Sequence, residues 1–81
     1  MLLKLKIADK KKLIFEGETD FCELPAQSGI EGVMPKHVNF ISNLVKGLIK
    51  YKTDGTIKEI EVLSGGFAEV SNDNVNILLD S

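Results

Sequence analysis

Apolar and polar residues alternate along much of this chain. Leu3, Leu5 and Ile7 take turns with Lys4 and Lys6, the period of two expected of a strand with one face on a core and the other in water. The alternation stops at Asp9, which opens a polar turn through Lys12. In "LIFEGETDFCELPA" the β-favouring Ile14, Phe15, Phe21 and Cys22 are interrupted at Gly17. This predicts two short strands, or one bent at the glycine, with Pro25 closing the second. The middle, "QSGIEGVMPKHVNFISNL", holds Gly29, Gly32 and Pro35 close together and reads as a structured loop.

The strand pattern resumes from Asn43 to Lys52, with Val45, Ile49 and Tyr51 on the inner face and Lys46, Lys50 and Lys52 on the outer side. Asp54-Gly55 is the dipeptide that best accepts the positive φ angles of a type I′ turn. A hairpin follows from it, whose second arm alternates Ile60 and Val62 with Glu59 and Glu61. A last hairpin joins Phe67–Val70 to Val75–Leu79 across "SNDN", a run of residues that tolerate unusual backbone angles. Nowhere do apolar positions keep a helical spacing for the length of a typical helix. The fold class is therefore all-β, a small β-sandwich or flattened barrel of about 8–10 short strands. Residues 1–81 make a single domain.

Composition narrows the chemistry. A chain of 81 residues buries only roughly 60% of its unfolded surface, which leaves little volume for a deep active site and favours action through the outer surface. The net charge is −2 and all ten basic residues are lysines, so the guanidinium fork used to read phosphates and bases is absent. Nucleic acid is excluded as a partner; Lys10-Lys11-Lys12, the one basic cluster, reads as a solvated turn. The single cysteine, Cys22, cannot close an intramolecular disulfide and reads as a small buried hydrophobe. Lys4 and Lys6 interrupt the apolar start, so no signal peptide or membrane span is expected there.

Candidate catalytic groups do not assemble. A phosphate-binding glycine loop delivers its ligand to a following helix N-terminus, whereas Gly65-Gly66 precedes a strand. The pair reads as a bulge or tight corner between Ile57–Leu63 and Phe67–Val70. His37 is the lone histidine and Cys22 the lone cysteine; no neighbouring Asn or Asp marks a triad with them. Ile30, Val33 and Met34, in the Gly-rich loop, read equally as a partner-binding patch or as a cap on the open end of a small barrel.

Two segments carry a resemblance. "SGIEGVMPKHVNFISNL" followed by "VLSGGFAEVSNDNVNILLD" resembles the amino-terminal β-sandwich domain of the epsilon subunit of F-type rotary ATP synthases. The family's glycine loop is matched by Gly29, Gly32, Val33-Met34, Pro35 and His37. Its closing motif is matched by Ser64-Gly65-Gly66-Phe67, Glu69-Val70 and Asn74 to Leu78. Lys36 and Asn39 stand where the family usually has Gly and Pro, and Lys46 where a Pro commonly precedes the glycine at Gly47, so a somewhat different loop path is expected. Members commonly continue into two helices that bind ATP and restrain rotation. This chain stops at Ser81, so ATP sensing and helical inhibition are not expected of it.

The resemblance implies a non-catalytic subunit of the central rotor of a proton- or sodium-driven ATP synthase, with no cofactor and no metal. Its partners would be the gamma subunit and the membrane c ring. Carried over by position, Ile30 and Glu31 would face the c ring, and His37 and Ser42 would face gamma. It would sit peripherally on the cytoplasmic face of a bacterial inner membrane, or on the stromal face of a thylakoid, without inserting. The alternative is a lipoyl- or biotinyl-type carrier domain with a modified surface lysine, since Met34-Pro35-Lys36 is faintly similar to a biotinylated Met-Lys-Met.

Overall fold

The computed structural model describes residues 1–80, and among them nine β-strands account for the regular structure. In chain order they are β1 (Leu3–Ala8), β2 (Leu13–Thr19), β3 (Cys22–Ala26), β4 (Gly29–Val33), β5 (Phe40–Leu44), β6 (Gly47–Thr53), β7 (Thr56–Val62), β8 (Gly66–Ser71) and β9 (Asn74–Leu79). Hydrogen bonding links them in the order β2-β1-β9-β8-β5-β3-β6-β7, with β4 on the other edge of β3. The one parallel pair is β1 with β9; all others are antiparallel.

The sheet folds over itself at β3. One edge of β3 carries β4 along its whole length, from Cys22↔Val33 to Ala26↔Gly29. The other edge is shared, because Ala26 pairs with Leu44 of β5 while Cys22 and Glu23 pair with Tyr51 and Lys50 of β6. Two layers result, and their facing sides enclose one core. From one layer come Leu3, Leu5, Ile7, Ala68, Val70, Val75, Ile77 and Leu79; from the other come Cys22, Leu24, Val33, Ile49, Tyr51 and Val62, all at most 4% exposed. Phe15 of β2 meets Tyr51 of β6 with ring centroids 4.6 Å apart, which ties the far edge of one layer to the other.

Local chemistry fixes the turns. Asp54 and Gly55 have φ of 52° and 75°, and Asn72 and Asp73 have 51° and 64°, so both predicted hairpins close on type I′ turns whose twist matches the strands. At the β1–β2 turn one carboxylate oxygen of Asp9 accepts hydrogen bonds from the backbone N–H of Lys11 and of Lys12, each 2.8 Å. These two bonds, that from Lys11 foremost, hold the Asp9 carboxyl below its ordinary 3.8. A depressed carboxyl stabilises the fold above its unfolded pKa and loses that contribution as pH falls through the lower folded value. Asp9→Ala is therefore expected to lower the urea midpoint at pH 7, and the difference from the native chain should vanish at about pH 2; an equal deficit at both pH values would remove the charge from the explanation.

Four readings of the sequence need correction. The break between β2 and β3 falls at Asp20-Phe21, not at Gly17, because Gly17 stays in register opposite Leu5. Pro25 lies inside β3: it faces Ile30, and its carbonyl accepts a hydrogen bond from Val45 N–H at 2.8 Å. The stretch read as a loop contains β4 and β5, joined by a true loop only from Met34 to Asn39. Val45 is 42% exposed rather than inward, since the chain turns between β5 and β6 at that point.

Gly65-Gly66 acts as the predicted corner. Gly65 has φ of 116° and its carbonyl accepts the N–H of Asp80 at 3.0 Å. A Cβ on Gly66 would stand 2.6 Å from the carbonyl oxygen of Leu78, a distance backbone atoms cannot yield easily. The glycines serve close strand approach, not phosphate binding.

Candidate functional site

The candidate partner-binding residues sit on β4, on the loop after it and on β5. Neighbours along a strand point to opposite faces, and Ile30 and Glu31 obey this. Ile30, 79% exposed, lies on the outer face beside Pro25, Val45 and Leu48, in a shallow hollow rimmed by Lys46 and Lys50. Gly47 makes the hollow possible, since a Cβ there would stand 2.8 Å from Cβ of Pro25. Val33, expected in the exposed patch, is fully buried against the core, whereas Met34 is 64% exposed.

Glu31 turns the other way and meets His37. Its Oε2 lies 3.1 Å from His37 Nε2, while His37 Nδ1 lies 2.7 Å from the carbonyl oxygen of Val38. The imidazole also approaches Phe40 of β5, centroid to centroid 5.1 Å. Residues 31 and 37, separable in sequence into two partner groups, thus share one contact. Ser42 is half-buried on β5, level with Ala68, and its hydroxyl donates to the Asn43 carbonyl at 2.9 Å.

The 34–39 loop is braced from a second side. The Lys36 N–H donates to a carboxylate oxygen of Asp73 at 2.6 Å, and the Asn72 N–H donates to the side-chain oxygen of Asn39 at 3.1 Å. The loop and the β8–β9 turn are therefore one surface. Lys36 has φ of 67°, the left-handed region that glycine enters at no steric cost. The hydrogen bond to the Asp73 carboxylate holds the lysine's backbone there. Neither Asp73 nor the Val45–Leu48 wall was singled out from sequence, although the outward parity of Leu48 was there to be read.

Chemistry other than docking finds little support. Among the described residues no group of three or more His, Cys, Asp or Glu side chains gathers as a metal site. Cys22 is fully buried, and burial pushes its thiol up to about 12, far from the thiolate a nucleophile needs. Met34-Pro35-Lys36 is not the tip of a hairpin, because β4 pairs with β3 and β5 with β8, not with each other. A carrier lysine presented on a hairpin tip is thereby disfavoured.

The family described as ATP synthase, Delta/Epsilon chain, beta-sandwich domain matches residues 2–81. The chain belongs to this family. An ATP synthase epsilon chain of Nitratidesulfovibrio vulgaris (strain DP4) is 39% identical over 79 residues, covering 98% of this chain and 58% of that protein. The epsilon chain of Synechococcus sp. (strain WH7803) is 37% identical over 81 residues, covering 100% and 59%. The chain thus spans less than two thirds of the length of these relatives.

The same fold occurs in solved structures. A chain of the cryo-EM structure of the Euglena gracilis mitochondrial ATP synthase, OSCP/F1/c-ring in rotational state 1, superposes with a TM-score of 0.90 at 20% identity, covering 99% of this chain and 51% of that one. A chain of the Tetrahymena thermophila mitochondrial ATP synthase central stalk/c-ring structure does so with 0.81 at 10% identity, covering 98% and 63%. At such identities the likeness speaks for the β-sandwich alone. Among the described residues no helix is long and apolar enough to cross a membrane.

Proposed function

We propose that this chain is a non-catalytic, rigid docking body of an ATP synthase rotor, seated between the gamma subunit and the c ring. The observation that carries the reading is the match of residues 2–81, nearly end to end, to the sandwich domain of delta/epsilon chains. Physical form supports it. Torque passes through a body without loss only where the body does not deform, and a two-layer sheet whose loops are tied to one another meets that need.

In this reading Ile30 and Glu31 contact the c ring, and His37 and Ser42 contact gamma. The two groups meet at the Glu31–His37 pair, so in this reading the two partner surfaces adjoin one another. The complex would hold the chain at the cytoplasmic face of a bacterial membrane or the stromal face of a thylakoid, with no insertion of its own.

The first experiment is size-exclusion chromatography of the chain with a gamma-containing catalytic complex, followed by addition of the c ring. Co-elution is expected; clean separation at concentrations well above micromolar would overturn the reading. Ile30→Asp places a charge in the exposed apolar hollow and is expected to weaken ring association by about tenfold or more while leaving gamma binding intact. A thiol introduced by Ser42→Cys should crosslink to gamma, and failure to reach it in the assembled complex would remove Ser42 from that face.

A further inference from the structure

The two ring nitrogens of His37 each face an oxygen that can only accept. Nδ1 is 2.7 Å from the Val38 carbonyl and Nε2 is 3.1 Å from the Glu31 carboxylate. A neutral imidazole has one N–H and one bare lone pair. Whichever tautomer it takes, one of the two contacts then sets a lone pair against an oxygen. Only the imidazolium donates to both.

We infer that the 34–39 loop is clasped to β4 by a doubly protonated His37, and that the clasp opens when the ring gives up a proton. Around the ring, β4 contributes Glu31; β5 contributes the neutral Phe40 ring, close enough at 5.1 Å to favour a cation near its face. From the β8–β9 turn comes Asp73, which spends an oxygen on the Lys36 N–H, and the loop itself carries the exposed Lys36. Among the described residues Glu31 is the one anion bonded to the ring.

The pair is partly open to water, with side-chain exposures of 21% for His37 and 40% for Glu31, so protons reach it freely. Opening would leave the loop held by Asp73 and Asn39 alone and would re-aim Met34 and Val38, which are 64% and 75% exposed. The clasp is thus a proton-set control over how this end of the sandwich presents its apolar side chains. It stands apart from the rotor reading, since it concerns the 81-residue chain alone.

The test is amide exchange by NMR at about pH 5.5 and about pH 8.5, either side of the interval in which imidazoles change charge. The His37 N–H, bonded to the Met34 carbonyl at 3.1 Å, reports on the loop. After correction for intrinsic rates its protection is expected to fall about three- to fivefold between the two pH values, the scale of a partly exposed ion pair. In Glu31→Gln protection should be low at both, and Glu59→Gln, a surface carboxylate on β7, should behave as the native chain does. Ring ¹⁵N spectra of the native chain, which need no variant, should show both nitrogens protonated at the lower pH. A neutral ring at pH 5.5 with the loop still protected, or an unchanged pH dependence in Glu31→Gln, would overturn the clasp.

Discussion

Gly66→Ala is expected to destabilise the domain by about 3 kcal/mol, the upper range for forcing atoms into a filled site. Gly66 sits within β8, paired on one side with Leu79 and on the other with Leu44. Both neighbours are backbone held in a ladder, so neither can step aside. The added methyl would lie 2.6 Å from the Leu78 oxygen and 3.1 Å from Leu79 Cα, and relief requires parting β8 from β9. For a domain this small the loss corresponds to a fall in Tm of about 12–24 °C. Gly32→Ala is the control, because a Cβ there meets nothing within 4 Å and the residue is not in the left-handed region. Its effect should stay within about 0.5 kcal/mol. If thermal unfolding finds the two variants alike, the close approach of β8 to β9 is not what selects the glycine.

Leu24→Ala should cost as much for the opposite reason. Leu24 is fully buried on β3, the strand at which the sheet turns over, and it packs in the cluster with Cys22, Val33 and Ile49. Removing its isobutyl group leaves a void between two layers that are each fixed by hydrogen bonds, so the site cannot collapse. A loss of about 3–4 kcal/mol follows from the transfer and cavity costs together. Leu24→Met, which keeps the volume, should lose less than about 1.5 kcal/mol. Urea unfolding would separate them, and a Leu24→Ala cost below that of Leu24→Met would mean the layers do not meet at this residue.

The strands that were legible are those with a simple two-residue period and one wet face. β1, β7 and β9 are of this kind, and their turns announced themselves through Asp54-Gly55 and Asn72-Asp73. What escaped was set by partners distant in sequence. Gly29 and Gly32 look like punctuation, yet β4 forms because the free edge of β3 offers it five consecutive partners. Pro25 looked like a terminus, but the chain beside β3 changes from β5 to β6 there, and a residue without an N–H costs little where the pairing is already interrupted. Val45 failed because alternation was extended through a break that no turn residue marks.

The site shows the same division. Position in the chain identified the Gly-rich segment, but it could not show that Ile30 and Glu31 face apart, or that Glu31 returns across a turn to His37. The role of Lys36 was half visible: its departure from the family's glycine was noticed, while the carboxylate that holds its backbone lies 37 positions away. Side chains that brace a loop from another turn leave no periodic trace.

The parallel pairing of β1 with β9 bears on how this protein is made. A ribosome releases Leu3–Ala8 well before Asn74–Leu79, so β1 must wait for its inner neighbour until the seven strands between them have been made. Until then that edge of β1 is an open template for strands of other chains, and pairing of such long sequence separation is slow even once both partners exist. Lys4 and Lys6 on its outward face are the kind of charged residues that discourage stacking during the delay. A nascent chain arrested before β9 would carry an unfinished sheet with this edge of β1 still open.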